Sequence, residues 1–166
     1  MSFLWGITAM NYYIIYYFMK YVPGNLYVNM SVSTISELIA YIVSGIIYTY
    51  LGEKKSFFIS FSLAATGGAL IAFFADKSSW IAVFVFLAKF GISFSYNLVY
   101  IVTPYLFPTE RSSTAFGICN AVAMFSAIFS PIAAEMDGSL PMLIYCFSSA
   151  GAIFVVLFLN LSQKKA

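Results

Sequence analysis

Glu37 and Lys89 stand well inside long apolar stretches of this 166-residue chain. An ionisable group in such a setting costs at least about 2.5–3.5 kcal/mol on membrane-insertion scales unless it is paired or hydrated. Polar and aromatic residues recur around both at helical steps. Ser33, Glu37, Tyr41, Ser44 and Tyr48 form one series, and Lys89, Ser93, Tyr96 and Tyr100 form another. Thr8, Asn11, Tyr12 and Tyr16 add hydroxyl and amide groups beside ring faces near the start of the chain. A carboxylate among tyrosines suits an organic cation, because ring faces attract a cation within about 6 Å and the carboxylate supplies the opposite charge. That chemistry is binding, not bond breaking. The chain has no histidine, and it carries no phosphate loop, dinucleotide glycine motif, metal-ligand cluster or nucleophile with a paired base. The expectation is therefore a non-enzyme with no cofactor and no metal. A plainer alternative stays open: Glu37 and Lys89 as a structural ion pair that sets helix register, and the tyrosines as an interfacial belt in a chain that has 13 of them.

The elements that must position these residues follow from composition. Hydrophobic residues make up 62% of the chain, aromatics 20% and charged residues 8%, with a mean hydropathy of +0.92; soluble domains carry about 25% charge. A bilayer core of roughly 30 Å needs about 20 apolar helical residues. Cut at its charges, prolines and glycines, the sequence predicts an all-α membrane protein with six spans, over residues 3–19, 26–50, 56–75, 79–105, 114–134 and 141–161. The joins are short, so consecutive spans run antiparallel in one bundle over residues 1–166. A closed β-barrel would need alternating segments of about 10 residues, and these runs are continuous and longer. The first run has no basic flank and leads directly into a second, which predicts a retained span and not a cleaved signal peptide. Glu37 and Lys89 each fall roughly 15 Å below the same end of their spans, near the bilayer midplane. Ser60, Ala64, Gly68 and Ala72, spaced by four, predict a small-residue ridge for close helix packing.

Lysine and arginine counts orient the bundle. Lys54, Lys55, Arg111, Lys164 and Lys165 fall on one side and only Lys20 and Lys77 on the other, which puts both termini in the cytoplasm. The obligatory partner is the lipid bilayer, and no nucleic-acid partner is expected.

Four segments come in an order that carries a resemblance. They are Trp5 with Tyr12-Tyr13; Gly24-Asn-Leu-Tyr-Val-Asn29 followed by Glu37; Leu51-Gly-Glu-Lys-Lys55; and Tyr105-Leu-Phe-Pro-Thr-Glu-Arg111 with Ala115 and Gly117. Together they resemble the organic ion transporters of the major facilitator superfamily, specifically the second half, helices seven to twelve, over almost the full length. The resemblance implies one six-helix half of a secondary transporter for small organic ions in the plasma membrane. Such a carrier works by alternating access around a midplane site between two bundles, so the chain needs an N-terminal six-helix half or a second copy of itself. The substrate-binding set is then Glu37, Lys89, Tyr12, Asn11, Tyr16, Tyr41, Ser93, Tyr96 and Met124. Met124 enters because cation carriers often have an acidic residue at that position and anion carriers a basic one. The resemblance also implies an inner gate of Lys54, Lys55, Glu110 and Arg111. The chain departs from the family pattern at Thr49 and Tyr105, where the family has acidic residues, and at Ser112, which occupies the usual place of an arginine. These departures keep two other readings in play, a transport-inactive structural or assembly subunit (or truncated product) that retains the fold, and a sugar-type carrier half.

Overall fold

The computed structural model describes residues 1–74 and 80–158. Lys77, Lys164 and Lys165, which entered the charge reading, lie outside the described residues. Helix α1 runs Ser2–Phe18 and continues through a 3-10 turn, Met19–Tyr21. Pro23 and Gly24 then break the chain, with Gly24 at φ 110°. Helix α2 covers Leu26–Phe74, α3 Ile81–Leu106, α4 Thr109–Ala127, α5 Ser130–Ala134 and α6 Leu140–Phe158. Phe107 precedes Pro108, and the proline ring disfavours helical backbone in the residue before it. Phe107 is accordingly extended (φ −108°, ψ 145°) and α3 stops at Leu106. The next helix starts directly after Pro108, five residues ahead of the expected start at residue 114.

The join within α2 differs from expectation. Separate helices over 26–50 and 56–75 with a loop between them were expected; two helices are found, but they meet at a kink and not at a loop. Drawn straight, the 49 residues would extend about 74 Å at 1.5 Å per residue, more than twice a bilayer core of roughly 30 Å. The kink is Gly52 (φ 76°, ψ 176°). Only glycine takes this positive-φ backbone without steric cost.

The contacts along α3 give the direction of each arm. In the arm over 26–51, Glu37 meets Lys89 and Ser44 meets Asn97, so the numbers rise together and the helices are parallel. In the arm over 53–74, Ser60 meets Ser95, Ala64 faces Gly91 and Gly67 faces Ala88, so that arm is antiparallel to α3. The chain therefore reverses at Gly52, and its two arms flank the same helix. Among the described residues, four helices are long and apolar enough to cross a membrane: Leu26–Phe74, Ile81–Leu106, Thr109–Ala134 and Leu140–Phe158.

Small residues set the packing. A Cβ added to Gly67 would overlap the backbone of Ala88, and one on Gly91 would overlap that of Ala64, so α2 and α3 touch backbone to backbone. The predicted ridge lies at this contact: the Ser95 hydroxyl donates to Ser60 Oγ at 2.7 Å. From α6, the buried Tyr145 ring covers Gly68 while its hydroxyl donates to the Ala88 carbonyl at 2.8 Å. Without water-driven burial, such close contacts and interhelical hydrogen bonds drive association of apolar helices. Large apolar side chains remain on the outer surface, among them Tyr27, Phe73, Phe125, Phe147 and Phe158. A surface this apolar suits hydrocarbon and not water. Helix α4 is the least covered, with only Cys119 and Ala123 buried along its length.

Candidate functional site

The arm over 26–51, α1 and α3 converge on one carboxylate. Tyr12 from α1 and Tyr41 from α2 each donate a hydroxyl to Glu37 Oε1 at 2.6 Å. Lys89 Nζ lies 3.7 Å from the other oxygen, Oε2, and 3.5 Å from the centre of the Tyr12 ring. The lysine is 1% exposed and the glutamate side chain 21%. At 3.7 Å the ion pair is too long for a hydrogen bond, and the ammonium has no hydrogen-bond partner among the described residues. A cavity of about 170 Å³ opens beside the pair, lined by Tyr16, Met19, Met30, Ser33, Thr34, Glu37 and Lys89.

The aromatic series extends from the pair in one direction. The Tyr12 and Tyr96 rings lie 4.8 Å apart and Tyr96 and Tyr100 5.3 Å apart. Trp5 closes the row 4.6 Å from Tyr100, and its indole N–H donates to Thr103 Oγ1 at 2.8 Å.

Of the residues expected from sequence, Glu37, Lys89, Tyr12, Tyr41 and Tyr96 come together, and Tyr16 lines the adjoining cavity. Ser93 is fully buried on α3, one turn from Lys89, and its hydroxyl lacks a partner among the described residues. Asn11 is directed elsewhere. Its amide donates to Ser149 Oγ at 3.0 Å and to the Tyr145 carbonyl at 3.4 Å, and its Oδ1 accepts from Ser148 at 2.7 Å, so it clamps α1 to α6. Met124 is exposed on α4. Lys54 donates to the Leu157 carbonyl at 2.7 Å, a cation placed at the partial negative charge of a helix end. Lys55, Glu110 and Arg111 are exposed, and none forms an ion pair among the described residues. Glu110 and Arg111 belong to the first turn of α4, not to a loop.

Several contributors were missed. Met19, Met30 and Thr34 line the cavity, and Asn97 bonds Ser44 Oγ at 2.6 Å and the Tyr41 carbonyl at 3.2 Å, tying α3 to the carboxylate's helix. Asn97 was legible as an amide inside an apolar run, though it lies off the spacing that picked out Lys89 and Tyr96. Beside Gly52, Glu53 is 7% exposed with Oε2 unpartnered among the described residues, and burial pushes its carboxyl above the usual range. At the turn after α1, Lys20 and Glu135 pair at 3.1 Å on the surface.

Apolar helices long enough to cross a membrane, packed around a buried charge pair, define an integral membrane protein. The sequence matches the Major Facilitator Superfamily over residues 1–164, and the chain belongs to that superfamily, whose members are carriers and not enzymes. The svop-1 protein of Caenorhabditis elegans is 28% identical over 142 residues, covering 83% of this chain and 27% of that protein. Synaptic vesicle 2-related protein of Xenopus laevis is 27% identical over 117 residues (70% and 21%). Organic cation/carnitine transporter 2 of Homo sapiens is 25% identical over 132 residues (77% and 23%). The chain spans about a quarter of the length of the curated relatives it matches.

Proposed function

We propose that residues 1–166 form one six-helix bundle, the C-terminal half, helices seven to twelve, of a secondary carrier for small organic ions. In this reading the two arms of α2 are separate spans and α4 with α5 is a single span. Substrate is held near the midplane by Glu37, Lys89, Tyr12, Tyr16, Tyr41, Ser93 and Tyr96, with Met124 on the facing surface, and exchanges sides by alternating access. The termini are cytoplasmic and the membrane is the plasma membrane, with Lys54, Lys55, Glu110 and Arg111 on the gating side. A second bundle, either an N-terminal six-helix half or another copy, supplies the opposite wall.

The observation that carries this reading is the buried Lys89 ammonium between the Glu37 carboxylate and the Tyr12 ring, beside an open cavity. Intramembrane ionisable groups that line a cavity mark substrate and ion pathways. Uptake of organic cations and anions into proteoliposomes tests it, with the chain alone and with a candidate N-terminal half. Flux that is lost in Glu37→Gln is expected; no flux in either preparation defeats the proposal.

The carboxylate's own contacts favour a second reading. Glu37 Oε1 is already occupied by two tyrosine hydroxyls, as in a structural pair within an assembly subunit that does not transport. If Glu37→Gln changed only assembly, with no bound or transported ion affected, that reading would replace the first.

A further inference from the structure

We infer that the groove below Lys54 and Lys55 holds one anionic phospholipid, its phosphate at the two ammonium groups and the upper part of an acyl chain against Phe58, Ile59 and Leu157. This site shares no lining residue with the cavity at Glu37 and Lys89 and does not depend on the carrier reading.

The bend sets its position. Because the chain reverses at Gly52, residues 51–55 stand at one end of the bundle, and the bond from Lys54 to the Leu157 carbonyl brings the end of α6 to the same level. A cavity of about 450 Å³ opens there, lined by Leu51, Lys54, Lys55, Phe58, Ile59 and Leu157. Its walls are apolar, so the lysines line it with their methylene stems and carry their charges at the rim. Lys54 lies one turn before Phe58 and Lys55 one turn before Ile59, which sets each cation above an apolar side chain on one helix face. Phe58 and Leu157 are exposed to whatever surrounds the bundle. A charged rim above a hydrocarbon-lined groove matches a lipid at a membrane boundary, with the headgroup outward and the chain inward.

Charge decides which lipid. Lys55 forms no ion pair among the described residues, and Lys54 spends one of its three donors on Leu157. Among the described residues no carboxylate lines the groove, and the adjacent Glu53 is buried. At the opposite end of the bundle Lys20 is already paired with Glu135 at 3.1 Å. A zwitterionic headgroup brings a cation of its own toward two ammonium groups, whereas an anionic one brings only the acceptor they lack. In the orientation proposed above, this end meets the cytoplasmic leaflet, where anionic lipids concentrate.

The test places Phe58→Trp in phosphatidylcholine vesicles and adds dibrominated phosphatidylglycerol or dibrominated phosphatidylcholine as quencher, subtracting the signal of the unsubstituted chain, which has Trp5 and Trp80. One lysine near an anionic headgroup is worth about fivefold in binding, so phosphatidylglycerol should bind here at least fivefold more tightly than phosphatidylcholine. Phe147→Trp, exposed midway along α6, should show no preference. Lys55→Gln keeps the bond from Lys54 to Leu157 and should lower the preference about fivefold, as should salt at roughly 1 M, where screening is nearly complete beyond about 3 Å. The salt series decides the matter if the lysine variant fails to fold. Equal quenching by the two lipids overturns the site, as does the same preference at Phe147→Trp or a preference that neither Lys55→Gln nor salt reduces. Quenching by neither lipid overturns it as well, since protein then covers the groove.

Discussion

Tyr12 and Tyr41 donate to the same oxygen, Glu37 Oε1, each at 2.6 Å, although one comes from α1 and the other from a turn further along the carboxylate's own helix. The shared acceptor fixes the rotation of the carboxylate and turns Oε2 toward Lys89. Two hydroxyls and one ammonium therefore hold three helices at one level, and each partner can be removed in turn.

Removing one charge should cost more than removing both. Breaking a buried pair from one side leaves an uncompensated charge and costs about 3–5 kcal/mol, whereas replacing both partners is often near neutral. Glu37→Gln should lower stability by an amount in that range, and Glu37→Gln with Lys89→Met should recover most of it. Thermal unfolding in nanodiscs measures the difference, and equal stability of the single and double variants would show that the two groups are not coupled.

The two tyrosines should separate by what else they do. Tyr41→Phe removes one hydroxyl bond within the carboxylate's own helix, a loss on the order of 1 kcal/mol. Tyr12→Phe should cost the same, because the ring beneath Lys89 Nζ is kept. Tyr12→Leu removes that ring as well and should cost about 2 kcal/mol more, the value of a desolvated cation–π contact. The ordering Leu below Phe at position 12 is the quantity to check.

Glycine substitutions should divide by location. Gly67→Ala and Gly91→Ala each insert a methyl group into a backbone contact between α2 and α3, and overpacking of this kind costs about 1–3 kcal/mol. Gly45 has open space around its added Cβ. Gly45→Ala should therefore stabilise its helix by roughly 0.5–1 kcal/mol. Three melting temperatures measured side by side suffice.

Glu53 predicts a pH dependence. Its carboxyl is raised by burial above an unfolded value of about 4.3, so the folded state favours the protonated form. The stability this contributes is full below about pH 4.3 and is lost as pH rises through the raised value. Glu53→Gln should raise the melting temperature at pH 7, with the gain shrinking toward zero at the acid end. A gain that does not change with pH would mean that the carboxylate is solvated or paired.

Much of this site could be read from the chain because cost and period both point at it. Glu37 and Lys89 are expensive in apolar runs, and their equal depth followed from counting residues; the pair forms at that level. Steps of four also located the Ser60 to Ala64 contact with α3. Asn11 shows where such counting stops. It adjoins Tyr12, and neighbouring helical residues point about 100° apart, so when Tyr12 faces Glu37, Asn11 faces α6. Its hydroxyl partners, Ser148 and Ser149, lie more than 130 positions away, a distance no local pattern spans. Gly52 was hidden differently. The charges at Glu53, Lys54 and Lys55 announced a polar break, yet polarity says nothing about backbone, and a single positive-φ residue reversed the chain with helix on both sides.

That reversal also makes α3 a strut with a load on each side. One stretch of residues 26–74 packs parallel to it through Glu37 and Ser44, and the other packs antiparallel through Ser60, Ala64 and Gly67. Both depend on one backbone position, Gly52 at φ 76°, a conformation that any side chain there would strain. A single methyl group at Gly52 would therefore disturb the Glu37–Lys89 pair and the Gly67–Ala88 contact together, although it touches neither.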